Sequence, residues 1–136
     1  MAMIHGYVLG PGEGVPGGGD HALKASEPST GGTLTLFESD TDGGAPRHVH
    51  SREDECFYVL EGVISVECGD ETFEAGPRSF VFLPRAIPHA WDVVGDRATV
   101  LIITVPAGFE EFMRELHEAE GPARLEVARR HGIEFV

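Results

Sequence analysis

His48-Val49-His50-Ser51-Arg52-Glu53-Asp54-Glu55, continuing through Cys56 into Phe57-Tyr58-Val59-Leu60-Glu61-Gly62, packs two histidines and a glutamate into an extended, apolar stretch. Along a strand the side chains alternate with a period of two, so His48 and His50 share one face. If that face is an interior, both imidazoles converge on one point. The charged corner at residues 51–54 turns the chain, and Glu55 opens the next strand on the same side as Phe57 and Val59. A glutamate among apolar neighbours is costly unless a cation or hydrogen bonds compensate it. Glu53 and Asp54 read as solvated corner residues.

A second segment, Phe80-Val81-Phe82-Leu83-Pro84-Arg85-Ala86-Ile87-Pro88-His89-Ala90-Trp91, supplies a third imidazole where His89 opens a strand after a proline-bounded turn. His48, His50, Glu55 and His89 together offer nitrogen and carboxylate donors. That mix suits one divalent transition metal (Fe, Mn, Ni, Co, Cu or Zn) rather than calcium or magnesium. Trp91 shares the parity of His89. With Phe57 and Phe82 it is a candidate wall of a substrate pocket, since the lining of a small barrel is also its cavity wall. Cys56 faces away from the metal by parity and reads as a buried structural thiol.

Outward from these segments, 18 glycines and 9 prolines punctuate short apolar runs, the pattern of an all-β fold. The stretches Gly10-Pro11-Gly12-Glu13-Gly14 and Pro16-Gly17-Gly18-Gly19 read as loop, so residues 1–32 are expected to be mostly loop or an N-terminal arm. Residues 33–105 form the expected barrel core. Its strands lie at 33–38, 47–50, 55–60, 63–68, 80–83, 89–94 and 98–105, with breaks at Glu61-Gly62 and Gly95-Asp96. The period then changes. Phe109, Phe112, Met113 and Leu116 recur at helical spacing, and Gly121-Pro122 and Gly132 bound a second short helix. These helices, within 109–131, are expected to cover one barrel end or to serve a dimer contact. His5, His21, His117 and His131 read as surface or structural residues.

With 10 Lys plus Arg against 23 Asp plus Glu, the formal net charge is -13, and no basic stripe is present. Such a surface repels phosphate backbones, which argues against nucleic acid and anionic membranes as partners. Cys56 and Cys68 imply no disulfide framework. The N-terminus lacks the basic start and apolar run of a signal peptide, and the most apolar stretch, 98–105, is too short to span a bilayer. These features give a cytoplasmic expectation.

The first segment resembles the first motif of the cupins, Gly-x5-His-x-His-x4-Glu-x6-Gly, with His48, His50, Glu55 and Gly62 in place and Asp42 where the leading glycine stands. The second resembles Gly-x5-Pro-x-Gly-x2-His-x3-Asn through Pro84 and His89. It departs from that motif at Arg78, Ala86 and Val93. Lys24, Thr30-Gly31-Gly32, residues 52–55, 106–109 and 131–135 are similar to single-domain cupins of the quercetin dioxygenase-like group. The resemblance implies one cupin jelly-roll β-barrel over residues 1–136 with two short C-terminal α-helices. It also implies a homodimer and a metal held by His48, His50, Glu55 and His89.

For activity, the resemblance implies a metal-dependent dioxygenase opening a small, oxygen-rich aromatic molecule, with Glu55 as general base. Two alternatives stay open. One is a non-oxidative cyclase or isomerase of polyketide-like substrates using the same metal as a Lewis acid. The other is a non-enzymatic small-molecule-binding barrel.

Overall fold

The computed structural model describes residues 3–17 and 21–136. Met1, Ala2 and residues 18–20, including the Gly18-Gly19 pair assigned to the arm, lie outside the described residues. The elements follow in the order β1 (Ala22–Ala25), α1 (Glu27–Thr30), β2 (Thr35–Thr41), β3 (Ala45–His50), β4 (Asp54–Cys68), β5 (Glu71–Ala75), β6 (Phe80–Leu83), β7 (His89–Val105), α2 (Phe109–Glu118), α3 (Ala123–Arg130) and β8 (Ile133–Phe135).

Two long antiparallel strands, β4 and β7, organise the rest. They pair from Asp54 opposite Val105 to Cys68 opposite His89. Their two halves take different neighbours. Toward one end β1, β2, β7, β4 and β6 lie side by side; toward the other the sequence is β8, β3, β7, β4 and β5. The two leaves oppose their inner faces as a jelly roll does. The hydrogen-bond ladder does not close, because β1, β5, β6 and β8 each pair on one side.

Glu61-Gly62 and Gly95-Asp96 bend these strands instead of ending them, which corrects the seven-strand expectation. The register slips between Val59 and Glu61 and again between Glu61 and Val63. Gly62 sits at φ 81, and a Cβ there would lie 2.5 Å from the Arg97 carbonyl oxygen and 2.8 Å from Ala98 Cα. Only glycine lets the backbones approach this closely at the bulge, so the strand turns a corner while its pairing continues.

Among the described residues of the arm, 3–17 are loop and turn, and β1 and α1 add two short regular elements before β2. Ser26 caps α1 by accepting from Ser29 N (3.2 Å), while Ser29 Oγ accepts from Ser26 N (2.9 Å). The arm upstream lies along β1, with Val15 N donating to Leu23 O at 2.6 Å. At the other terminus β8, unassigned from sequence, pairs with β3, setting His48 opposite Phe135 and His50 opposite Ile133.

Phe57, Val59, Ile64, Val66, Val81, Leu83 and Val100 fill the interior around Ala75 and Ala98. Each large side chain buried this way contributes about 1.5–3 kcal/mol. The helices form as the apolar spacing predicts. Phe112 joins Val127, Ala128 and Ile133 in a second cluster, against which Phe109, Met113 and Leu116 pack. No described helix is long and apolar enough to cross a membrane.

Candidate metal centre

Strand β3 carries His48 and His50 with both side chains buried, and its register sets His48 directly beside His89 of β7. The turn that delivers His89 is pinned at two points. Ala86 N donates to His50 O at 2.7 Å, and Arg85 donates from its backbone N (2.9 Å) and its guanidinium Nε (3.2 Å) to Asp54 Oδ1. Glu55 enters from β4, flanked in register by Leu83 and Thr104. It is only 3% exposed.

The four side chains each turn one donor atom to a common point, and these atoms all lie within 4.8 Å of one another. Glu55 Oε1 is 3.3 Å from His89 Nε2, and Glu55 Oε2 is 3.9 Å from His50 Nε2. His48 Nε2 and His50 Nε2 face each other at 3.0 Å. The protons on these rings follow from their other nitrogens. His48 Nδ1 is 2.7 Å from the Pro46 carbonyl, which can only accept, so Nδ1 carries the hydrogen. His50 Nδ1 donates in the same way to Glu53 Oε1 at 2.6 Å. In the neutral rings both Nε2 atoms therefore present lone pairs to one another across 3.0 Å, a repulsive contact that a cation between them would relieve. Burial, then the charges of His89 and His50, hold the His48 pKa down to about 4 against the Pro46 hydrogen bond and Glu55. Near neutral pH that ring is an uncharged donor. His89 completes the case: neither ring nitrogen has a hydrogen-bond partner among the described residues, although both are buried. An orphaned buried imidazole beside a buried carboxylate fits a metal ligand set.

Sequence reasoning assembled these four residues and missed a fifth. Glu53, read as a solvated corner residue, is 9% exposed and orients His50 from behind. The signal was its place three residues after His50, but a turn has no periodicity to say which way it points. Thr104, buried beside Glu55 in the register, leaves its hydroxyl without a partner among the described residues. Of the three proposed pocket residues, Phe57 and Trp91 point inward and pack on each other, with ring centroids 5.1 Å apart. Phe57 is fully buried in the core. Phe82 corrects the expectation: it is 52% exposed on the outer face of β6, while Val81 and Leu83 point in. The run Phe80–Leu83 is apolar on both faces, and composition alone did not reveal its parity. Cys56 likewise faces out and is half-buried rather than buried, and burial is the main cause holding its thiol pKa up. Over the His48–His50–Glu55–His89 cluster, α2 brings Phe109 to 5.7 Å from the His50 ring and 6.5 Å from Phe37.

The family model for the cupin domain, Cupin_2, matches residues 35–120, which takes in all four ligand candidates. The chain is a cupin. Among curated proteins it is similar to a quercetin 2,3-dioxygenase of Bacillus subtilis (strain 168), at 28% identity over 115 residues. That match covers 81% of this chain but 34% of the relative, so the chain spans about a third of the relative's length. Among solved structures it resembles KdgF from Halomonas sp., with a TM-score of 0.56 and 20% identity over 67% of this cupin and 82% of that chain. It also resembles the Cnp3 cupin domain of Schizosaccharomyces pombe, with a TM-score of 0.54 and 20% identity over 70% of this chain and 69% of that one. These likenesses describe the fold. The two second-motif positions where this cupin lacks glycine, Arg78 and Ala86, are its two described non-glycine residues at positive φ, 68 and 69. The motif glycines therefore serve backbone geometry, and their loss leaves every ligand candidate in place.

Proposed function

We propose that this cupin is a metal-dependent dioxygenase that opens a small, oxygen-rich aromatic ring, such as a flavonol. The observation that carries the metal requirement is the facing pair of His48 and His50 lone pairs beside the unpartnered His89. The similarity to a quercetin 2,3-dioxygenase supports the choice of reaction. A divalent first-row ion held by His48, His50, Glu55 and His89 would supply the centre that binds a substrate oxygen and dioxygen together.

The chain's own residues do the rest. Glu55, buried with the His50 and His89 rings as the only basic side chains within 3.9 Å of its carboxylate among the described residues, accepts the proton of the substrate hydroxyl as it binds. The Glu53 carboxylate holds His50 in the tautomer that points Nε2 inward. Phe37 and Phe109 keep bulk water from the site, while Phe57 and Trp91 form the apolar floor beneath it.

Oxygen uptake by the metal-loaded protein with a flavonol tests this reading. One O2 is expected per ring opened, with both oxygen atoms retained in the products. Glu55→Gln is expected to keep more metal than a histidine variant while losing about 100-fold or more in turnover. Ring chemistry without oxygen uptake would establish the cyclase or isomerase alternative. Absence of any turnover with metal bound would leave a binding barrel.

A further inference from the structure

Arg52 is an unpaired cation on an acidic chain. Among the described residues, Arg52 and Arg78 alone of the basic side chains have neither an ion pair nor a side-chain hydrogen bond. With 23 Asp plus Glu against 10 Lys plus Arg, counter-charges are plentiful elsewhere. The place of Arg52 is set all the same. A Cβ on Gly132 would lie 2.9 Å from Arg52 Nε and 3.0 Å from its Cγ. The bare glycine, at φ 74, is therefore the seat of the arginine stem. Packing aims this guanidinium, and no carboxylate holds it.

Arg52 forms one wall of a cleft of about 180 Å³ between the 51–53 turn, the 106–109 loop and α2. Pro106, Ala107, Phe109 and Phe112 make much of the remaining wall apolar. The other polar side chains of the cleft are engaged. Glu53 Oε1 accepts from His50 Nδ1, and His131 Nε2 donates to Glu115. On its far side Arg52 borders a second cleft with Ser51, Arg129 and Glu134. That one has no aromatic wall and carries charges of both signs.

We infer that the cleft beneath α2 binds a small aromatic carboxylate, with Arg52 as its anchor. The planar guanidinium fork matches a carboxylate through two parallel hydrogen bonds, a pairing stronger than that of neutral groups. Phe109 and Phe112 present ring surface to an aromatic body, which packs edge-on or offset against them. Size limits the ligand to one ring, since pockets for larger organic molecules begin at about 300 Å³. A flavonol does not fit, so the inference goes beyond the proposed reaction and does not depend on it.

Calorimetric titration of the full chain with benzoate, as purified and again after chelation of any metal, tests the inference. Benzoate is expected to bind in both states with a Kd of about 0.1–1 mM, ordinary for so few atoms. Benzamide, which keeps the ring and lacks the charge, and acetate, which keeps the charge and lacks the ring, should each bind at least about tenfold more weakly. Arg52→Ala is expected to weaken benzoate by about tenfold or more with an unchanged circular dichroism spectrum. Arg78→Ala, which removes the other unpaired cation, should leave benzoate binding as it was. A wild type that binds no benzoate would overturn the inference, as would equal binding by Arg52→Ala. Binding that disappears on chelation would place the carboxylate on a metal and overturn it too. Acetate as tight as benzoate would remove the aromatic wall from the site and with it the proposed ligand.

Discussion

Glu53 shows how much one side chain adds behind a candidate ligand. Without its carboxylate, His50 Nδ1 loses the acceptor at 2.6 Å that fixes the ring's tautomer and direction. Glu53→Ala is expected to weaken metal binding about 10–100-fold, read by competition with a chelator, while Glu53→Gln retains most of the affinity through its amide oxygen. Equal affinity in Glu53→Ala and the wild type would remove Glu53 from the centre. Arg78 and Ala86 give a second prediction at this scale. Both hold left-handed backbone at φ 68 and 69, which disfavours a Cβ by about 1–2 kcal/mol. Part of that gain is offset by glycine's greater freedom in the unfolded chain. Arg78→Gly and Ala86→Gly are each expected to stabilise the protein by about 0.5–1 kcal/mol in denaturant titration. A loss of stability in both would contradict the strain argument. His48, His50, Glu55 and His89 were legible because spacing along strands fixes direction. Glu53 was not, since it lies in a turn, and Phe82 was misplaced because its strand is apolar on both sides.

At the scale of elements, the C-terminal helices are held by a polar clasp as well as by apolar packing. Glu115 of α2 accepts from His131 Nε2 at 2.8 Å and lies 3.4 Å from Arg130. The His131 hydrogen bond, followed by the charges of His131, Arg130 and Arg114, holds the Glu115 carboxyl below its ordinary 4.5. A depressed carboxyl stabilises the folded state above its unfolded pKa, and that contribution is lost as pH falls through the folded value. Amides of α2 and α3 are therefore expected to lose hydrogen-exchange protection below about pH 4.5 relative to those of β4 and β7. In Glu115→Gln the clasp is weak at every pH and this differential should vanish; an unchanged pH profile would assign the helices' attachment to the apolar cluster alone. The helices were legible because Phe109, Phe112, Met113 and Leu116 keep a helical period. Strand ends were less so. Gly62 reads as a stop in sequence, yet its close approach to Arg97 and Ala98 makes it a bend within one strand. Likewise α1 escaped notice because its signal, Ser26 capping a helix with Pro28 in the first turn, sits in a glycine-rich arm.

Across the whole molecule, the candidate site depends on how the two leaves face each other. The inner faces bring His48 and His50 of β3 and His89 of β7 in one leaf to meet Glu55 in the other, so the cluster forms only when both leaves are folded together. Metal binding at this centre would couple to folding, because the four side chains, far apart in sequence, converge only in the native state. The acidic composition argues against nucleic acid as a partner, but composition alone does not show where on the surface charge is missing. That required the register, which gathers Phe80, Phe82, Leu101 and Ile103 onto one outer face. The central claim, that His48, His50, Glu55 and His89 form one metal centre, is tested most directly by elemental mass spectrometry of the purified protein beside His48→Ala. The account predicts about one first-row transition metal per wild-type chain and its loss in the variant, with the fold retained. A wild type that takes up no metal even on reconstitution, or a variant that keeps its full complement, would contradict it.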